Sequence, residues 1–420
     1  MGKERVFDPH NKKKIINDPV YGFISVPDAL IYDLIAHPYF QRLRRIKQLG
    51  MSQLVYPGAI HTRFHHALGA MHLMQLAIES LRGKDVSITT EEEQGALIAI
   101  LLHDVGHGPY SHSLEYTLVK EVNHERISAL LMDRLNTEFD HRLSLGIAIF
   151  NNRYSKQFLH QLVSSQLDMD RLDYLMRDSF YTGVSEGVVS NQRIIKMLTV
   201  SNDRLAVEEK GIYSIEKFIV ARRLMYWQVY LHKTVVSAER LLISILNRAR
   251  FCALRGDELF GSPAFRKFLY NHYDYAAFAN QPDVLDAFVK LDDYDIMGAI
   301  KVWMEHPDRI LSDLCRRAVY RNLGLVVLAN DPFPEKEIAD LRHRTAGFFK
   351  LNDDEIAYYF QTDRIENHAY NKDVDGIDML SKSGELVDLA EASDSGALLA
   401  QSVTITKYVL YYPKELRRSK

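Results

Sequence analysis

One short stretch of this 420-residue chain concentrates side chains that bind metals or transfer protons. Three histidines and one aspartate lie within ten residues there, namely His103, Asp104, His107 and His112. The preceding run, residues 95–105, is apolar on all sides and too short to span a bilayer, which predicts a core helix ending at Gly106. Polar groups at a buried helix end are costly unless something binds them. Imidazole and carboxylate together suit one divalent ion of zinc, iron, manganese or nickel.

Packing is the competing interpretation of such histidines. A lone buried histidine is more often a hydrogen-bonded core residue than a ligand, and the chain has 17 histidines to distribute. The density of this cluster, however, favours the metal site for residues 103–112.

Two other predicted helices offer ligands for the same ion. A long helix follows Arg63, and its apolar stripe carries one histidine, His66, with Ala70, Leu73 and Ala77. A second stripe, at helical spacing, contains Val163, Leu167, Asp170, Tyr174 and Asp178. We therefore predict that His66 and Asp170 complete the set with His103 and Asp104, while Asp168 and Asp173 serve as surface or capping charges. Two imidazoles and two carboxylates fit an octahedral ion with open positions for water and substrate oxygen.

Two further polar features stay ambiguous from the residues alone. Asn123 is expected to cap a helix that begins at His124, where exposed amide groups favour a nearby anion, although a surface histidine is about equally consistent. Helix 40–49 carries a basic run, for which we favour a solvated helix face.

Composition limits the classes of function. The chain is 47% hydrophobic and 25% charged with a net charge of -3, so no overall basic field indicates nucleic-acid binding. Cys252 and Cys315 are far apart, which suits a reducing compartment and argues against a disulfide framework. No signal-peptide core or long apolar span is present, so we expect a cytoplasmic protein without membrane association.

The element pattern predicts a mainly α fold. We expect an N-terminal β-hairpin segment (1–26), a helical core (27–250), a helical extension (251–330) and a smaller C-terminal α+β region (331–420). Within them we predict a helix ending before Pro38, a long helix over 215–250, strands near Leu205 and Tyr213, helices from 262 to about 329, and a final strand over 404–412.

Five motifs in order carry a resemblance to a known family: Asn17-Asp18-Pro19, residues 40–50, Arg63 to His66, His103 to His112, and Asp168 to Tyr174. Over residues 12–235 the chain resembles the HD-domain metal-dependent phosphohydrolases. It looks most like the deoxynucleoside triphosphate triphosphohydrolases, which include the SAM-and-HD-domain dNTPase and dGTPase-like bacterial relatives. The resemblance implies an HD-domain helical core and hydrolysis of dNTPs to deoxynucleoside and triphosphate.

Carried over by position, the resemblance implies roles for individual residues. The metal ligands are His66, His103, Asp104 and Asp170, and the catalytic group is His107, Glu115 and His124. Magnesium is expected to accompany the substrate phosphates. The residues implied to hold the triphosphate and sugar are Gln48, Leu49, Arg63, His112, Arg171, Tyr174, Asp178, Arg222, Tyr230 and Lys233.

The resemblance also implies partners. It predicts a homo-oligomer, with a tetramer favoured, and a nucleotide activator at an interface, where Lys14, Gln41 and Arg44 match. Ala36 and Glu208 stand where an aspartate and an arginine are expected, which argues against activation by guanine nucleotides. Two alternatives stay open: another HD-family nucleotide phosphomonoesterase or phosphodiesterase, and a catalytically silent nucleotide-binding regulatory module.

Overall fold

The computed structural model describes residues 14–110, 117–119, 122–367, 370, 376–393 and 405–417. The fold is mainly α, as predicted. The helices in these ranges are α1 (Ala29–Ala36), α2 (Pro38–Gln41), α3 (Arg63–Arg82), α4 (Thr90–Leu102), α5 (His124–Glu138), α6 (Ser144–Phe150), α7 (Gln157–Gln161), α8 (Met169–Thr182), α9 (Asn191–Met197), α10 (Ile212–Met225), α11 (Lys233–Arg255), α12 (Pro263–Tyr270), α13 (Tyr275–Asn280), α14 (Pro282–Phe288), α15 (Asp293–Trp303), α16 (Arg309–Val319), α17 (Glu335–Phe349) and α18 (Leu389–Ala392). None of them is both long and apolar enough to cross a membrane.

Three small sheets accompany the helices in the described ranges. Their strands are β1 (Ile15–Asp18), β2 (Gly22–Ser25), β3 (Leu198–Ser201), β4 (Arg204–Glu208), β5 (Leu325–Ala329), β6 (Gln361–Asn367), β7 (Asp378–Leu380), β8 (Leu386–Asp388) and β9 (Ile405–Tyr412). The predicted N-terminal hairpin is β1 paired antiparallel with β2. The other strand orders are β3-β4-β7-β8, in which β4 and β7 are parallel, and β5-β9-β6. The C-terminal strands β7 and β8 thus extend the β3-β4 hairpin of the helical core. The predicted domain boundaries stay predictions.

Two helices were predicted too long. The helix expected over 40–49 ends at Gln41, continues as a 3₁₀ turn over Arg42–Arg45, and gives way to a β-bridge between Lys47 and Thr62. The helix expected over 215–250 is divided between α10 and α11 by a π-helical turn, after which His232 caps α11 by accepting from the Thr234 amide. Local apolar periodicity continues through both breaks, so it does not reveal them.

One strand prediction and one helix prediction are also wrong. Tyr213 lies in α10, because Ile215, Phe218 and Ile219 pack into the core at helical spacing and override the β-propensity of the segment. The helical region expected to reach 329 ends in β5, which pairs with β9. The predicted strand near Leu205 is β4, and the predicted final strand is β9.

The core is organised around α4. Every residue of α4 from Gly95 to Leu102 is buried, as expected for the predicted all-apolar helix. The helix ends at Leu102, before the predicted end at Gly106, and residues 103–106 form turns. The chain then turns sharply at Gly106. A Cβ added at Gly106 would lie 2.3 Å from the His124 carbonyl oxygen and 2.3 Å from the Ser128 amide nitrogen. This glycine therefore lets the loop after α4 lie directly on the start of α5.

Candidate active site

Three helices bring predicted ligands to one point. The donor atoms of His66 (α3), His103 (directly after α4) and Asp170 (first turn of α8) all lie within 4.8 Å of one another. His66 Nε2 is 3.0 Å from Asp170 Oδ1 and 3.4 Å from His103 Nε2. Asp170 is partly exposed, so the cluster is reachable from solvent on that side.

Hydrogen bonds to groups outside the cluster turn the same nitrogen of each histidine, Nε2, towards the cluster. His103 Nδ1 donates to the Ile100 carbonyl oxygen at 2.6 Å, and His66 Nδ1 donates to Asp173 Oδ2 at 2.7 Å. Both Nε2 atoms therefore face the interior of the cluster, where a metal would take the place of the protons that they direct at Asp170. Metal-binding histidines are held in this way by a carbonyl or carboxylate on the far nitrogen. The donor set fits a divalent cation.

The electrostatics of the cluster also favour a positive charge at its centre. Burial by itself would lower the pKa of His66, but the hydrogen bonds to Asp170 and Asp173 outweigh it and raise that pKa to about 10. Burial would raise the pKa of Asp170, but the hydrogen bonds from His103 and His66 lower it below its ordinary value. Groups that hold a proton this firmly would hold a metal cation in its place.

Asp104, the fourth predicted ligand, lies between this cluster and a second one. Its Oδ1 is 3.4 Å from His103 Nε2 and 3.3 Å from His107 Nε2, and its Oδ2 accepts a hydrogen bond from Arg63. The ligand atoms of Asp104, His107 and His124 also lie within 4.8 Å of one another. Asp104 can therefore serve the metal and orient His107.

His107 and His124 stack face to face. Their ring centroids are 3.6 Å apart and the planes differ by 17°. Burial and the nearby Arg63 guanidinium hold the pKa of His107 well below its ordinary value, so this imidazole is neutral at neutral pH. Asn123 caps α5 as predicted, accepting from the Arg126 amide. The predicted residues Glu115 and His112 lie outside the described ranges.

A basic and aromatic cluster follows Asp170 along α8. Arg171 Nε donates to the Ser165 carbonyl oxygen at 2.6 Å, and Arg222 Nη2 donates to Gln166 Oε1 at 2.8 Å. The loop before α8 thus anchors both guanidinium groups. Tyr174 lies one helical turn after Asp170, and its ring meets the ring of Tyr230 edge-on at 6.2 Å.

Asp178 lies beyond these tyrosines. Its Oδ2 accepts from the Tyr230 hydroxyl at 2.8 Å, and its Oδ1 lies 2.7 Å from His61 Nε2. Gln48 lies beside His61, because the backbone amide of Gln48 donates to the His61 carbonyl oxygen at 3.0 Å. Leu49 packs against the core, and Lys233 is exposed at the start of α11. Among the described residues, no hydrogen bond or ion pair joins Leu49 or Lys233 side chains to this cluster.

The chain is similar to proteins of one known family. A family model of the HD domain matches residues 63–178, and a model of the HD associated region matches residues 189–256. The crystal structure of a phosphohydrolase from Bacteroides thetaiotaomicron is 52% identical, covers 96% of this chain and 100% of that one, and has a TM-score of 0.92. An uncharacterized protein of Bacillus subtilis is 34% identical and covers 97% of this chain and 93% of its own length. This chain belongs to the HD-domain phosphohydrolases.

The predicted resemblance is therefore confirmed, including its dNTPase-like character. A relative from Dictyostelium discoideum named deoxynucleoside triphosphate triphosphohydrolase SAMHD1 homolog is 31% identical, and the match covers 58% of this chain and 51% of the relative. As an HD-domain phosphohydrolase the protein is a metal-dependent hydrolase that binds a divalent ion.

One carboxylate of this HD phosphohydrolase was wrongly predicted. Asp173 was expected to be a surface or capping charge, but it is fully buried and binds both His66 and Arg177. Asp170 and Tyr174 of the predicted stripe are partly exposed, whereas the buried face of α8 contains Asp173. The available signal was the oppositely charged pair Asp173 and Arg177 at i, i+4. Asp168, by contrast, is the N-cap of α8, accepting from the Arg171 amide at 2.6 Å.

Arg42 was also wrongly predicted as part of a solvated basic face. Its side chain is 1% exposed and donates to three carbonyl oxygens, those of Val105, His107 and Leu291. Those acceptors satisfy both terminal nitrogens of the buried guanidinium and hold the loop that carries His107. Nothing in the local spacing of the basic run distinguishes Arg42 from its exposed neighbours Arg44 and Arg45.

The residues that match the family's activator site have local partners. Arg44 Nε donates to Gln41 Oε1 at 2.9 Å, and Lys14 Nζ lies 3.5 Å from the centroid of the Tyr32 ring. Glu208, where the resemblance expects an arginine, is paired with Lys84 and Lys210 at 2.6 Å each. A carboxylate already paired with two lysines is a poor substitute for an arginine that binds a nucleotide.

Proposed function

We propose that this HD phosphohydrolase hydrolyses deoxynucleoside triphosphates to deoxynucleoside and triphosphate, as a dGTPase-like enzyme. The observation that carries the proposal is the order of groups along α8. Asp170 belongs to the metal cluster, Arg171 follows it, and Tyr174 lies one turn further on. A nucleotide whose α-phosphate lies at the metal would extend its sugar towards Tyr174 and Tyr230.

The proposed metal ligands are His66, His103, Asp104 and Asp170. When bound there, a divalent ion lowers the pKa of a water ligand and polarises a phosphoryl oxygen. Arg63 holds Asp104 through its hydrogen bond, and its charge lies where it can also attract the α-phosphate. Arg171, Arg222 and Lys233 would neutralise the triphosphate, with His112 as a further contact, and magnesium would accompany the phosphates.

The proposed proton transfer uses the second cluster. Attack by water at the α-phosphorus breaks its bond to the 5′-oxygen, which needs a proton to leave as a hydroxyl. We assign this proton to His124, with Glu115 orienting it. His107, stacked on His124 and neutral, adds no second positive charge beside it and would lie near the scissile phosphate.

Two buried acceptors support a sugar pocket. The bridge between Lys47 and Thr62 places Gln48 opposite His61, so their side chains share one face. Gln48 Oε1 and His61 Nδ1 are both buried without a hydrogen-bond partner among the described residues. Such acceptors call for a donor, and a sugar hydroxyl is one. We assign Gln48, Leu49, Asp178 and Tyr230 to the deoxyribose.

The first prediction concerns the sugar. The metal-loaded protein should turn over dGTP with a kcat/KM roughly tenfold to over a hundredfold higher than GTP, because a hydroxyl left unsatisfied against an aromatic ring costs about 1 to 3 kcal/mol. Tyr174→Ala should reduce this ratio. Chromatographic resolution of the products from each dNTP and NTP measures both quantities.

The control for Tyr174 is Tyr154→Ala, which truncates a tyrosine that donates to Glu92 instead of joining this cluster. Equal kcat/KM for dGTP and GTP in the wild type would contradict the dNTPase proposal. Release of orthophosphate or pyrophosphate in place of triphosphate would favour the phosphomonoesterase or phosphodiesterase alternatives. A fully metallated protein without turnover would favour the regulatory module.

The second prediction is assembly into a tetramer. The hairpin and the Arg44 segment match elements that form subunit contacts in the family, and the hairpin exposes two large apolar side chains, Ile15 at 62% and Phe23 at 70%. Light scattering of the protein during turnover should give a mass of four chains. A monomer with full activity would contradict this prediction.

A further inference from the structure

A continuous chain of buried hydrogen-bonded ion pairs connects the N-terminal hairpin to the metal cluster. Arg177 Nη1 donates to Asp18 Oδ2 at 2.7 Å, and its Nε and Nη2 each donate to Asp173 at 3.0 Å. Asp173 Oδ2 in turn accepts from His66 Nδ1 at 2.7 Å. All four side chains are buried, so solvent does not screen these contacts.

Helix α3, which carries His66, leaves space for these ion pairs. Gly69 lies one turn after His66 on α3, facing the ion pair. A Cβ at this position would lie 2.0 Å from Asp173 Oδ1 and 2.1 Å from Arg177 Nη2. Any larger residue would have to displace the pair, so the space at Gly69 is an independent sign that the pair has a fixed place.

The charges of these ion pairs affect His66 directly. Asp18 and Asp173 carry two negative charges and Arg177 carries one positive charge, which leaves a net negative charge beside His66 Nδ1. A carboxylate in this position fixes the ring and makes Nε2 a stronger ligand. Without Asp18, Arg177 would interact with Asp173 alone and weaken its hold on His66.

Asp18 also belongs to the structure of the hairpin. Its Oδ1 accepts from the Val20 and Tyr21 amides at 2.9 and 3.0 Å, and these bonds form the turn between β1 and β2. One carboxylate thus uses one oxygen for the turn and the other for Arg177. The position of the hairpin on the helical core and the environment of His66 are therefore linked.

We propose that Asp18 and Arg177 are positioning residues of the metal centre, so that docking of the hairpin sets the affinity of the protein for its divalent ion. The inference rests on the metal site assigned under the proposed function. It means that a contact which lifts the hairpin from the helical core weakens metal binding at His66.

Asp18→Asn tests the inference sharply. Asparagine keeps an oxygen for the Val20 and Tyr21 amides, but its other atom is an amide nitrogen that cannot accept from Arg177. The full chain, stripped with a chelator, is titrated with Mn²⁺ and the affinity measured by electron paramagnetic resonance of the free ion. We expect affinity on the order of 10 to 100-fold weaker than in wild type.

The matched control is Asp28→Asn. Asp28 follows the hairpin closely in the chain and caps α1, but it hydrogen-bonds to Ile31 and Gln94 and lies outside the ion chain. This variant should bind Mn²⁺ as wild type does. Arg177→Lys, which keeps the charge but loses the fork of donors, provides a second test if Asp18→Asn does not fold.

The outcomes separate this inference from the metal site itself. Wild-type Mn²⁺ affinity in a folded Asp18→Asn or Arg177→Lys variant would overturn the inference. Full affinity in His103→Ala would instead overturn the assignment of the metal site. Weaker binding in Asp18→Asn and Arg177→Lys, with unchanged binding in Asp28→Asn, supports the proposal.

Discussion

Replacing Asp170 or His103 by alanine is expected to remove the bound divalent ion and abolish hydrolysis together. Each residue supplies one donor atom of the His66, His103 and Asp170 cluster, whose donor atoms lie within 4.8 Å of one another. Loss of Asp170 also removes a negative charge 3.0 Å from His66 Nε2, so the remaining imidazoles face a less favourable site for a cation. Metal content by elemental analysis and turnover of dGTP should fall in parallel in both variants.

Two substitutions control for general damage. Asp133→Ala removes an exposed carboxylate from α5, and His343→Ala removes an exposed histidine from α17. Both should keep metal and activity. Full metal occupancy in Asp170→Ala would contradict the assignment of the ligands, whatever the effect on turnover.

Replacing His124 by alanine should have a different signature, in which chemistry is lost and metal is kept. His124 is stacked on His107 and does not belong to the His66, His103 and Asp170 group. If it protonates the leaving 5′-oxygen, kcat should fall on the order of 10² to 10⁴ while metal content and substrate KM change little. Steady-state kinetics with elemental analysis of the same sample measures all three.

Asn123→Ala is the matched control for His124, since it removes the side chain that caps α5 and leaves the imidazole in place. Loss of this cap costs about 1 kcal/mol of stability and should leave kcat close to wild type. If His124→Ala keeps its kcat, His124 is a residue of the helix start and the proton donor must be sought elsewhere. If Asn123→Ala lowers kcat as strongly as His124→Ala does, the position of the helix, and not the imidazole, is what matters.

The two largest effects therefore separate the two clusters. Asp104 is the residue they share, because its Oδ1 lies within 3.4 Å of both His103 Nε2 and His107 Nε2. Substitution of Asp104 is expected to disturb metal binding and the orientation of His107 at once. Substitution of Asp104 is therefore less informative than substitution of Asp170 or His124.

Local pattern in the sequence was sufficient for the features that depend on burial of one helix face. The apolar run before His103 predicts a buried helix, and the stripe through His66 predicts a side chain that faces the core. The stripe through Asp170 was a weaker guide, because Asp170 and Tyr174 are partly exposed and the buried face of α8 contains Asp173. His66, His103 and Asp170 come together in the structure because two helices and the end of a third meet at one place. Their role as metal ligands stays a prediction.

Tertiary structure alone decided the features whose partners are distant in the chain. Arg42 is indistinguishable in sequence from an exposed arginine, and only the carbonyl groups of Val105, His107 and Leu291 make its burial possible. Asp18 is likewise defined by Arg177, which joins the hairpin to a helix far along the chain. The long-range partner of Asp173 is His66 on α3. Periodicity reports which side of an element is buried. It carries no information on which distant group satisfies a buried charge, because that depends on how the elements pack.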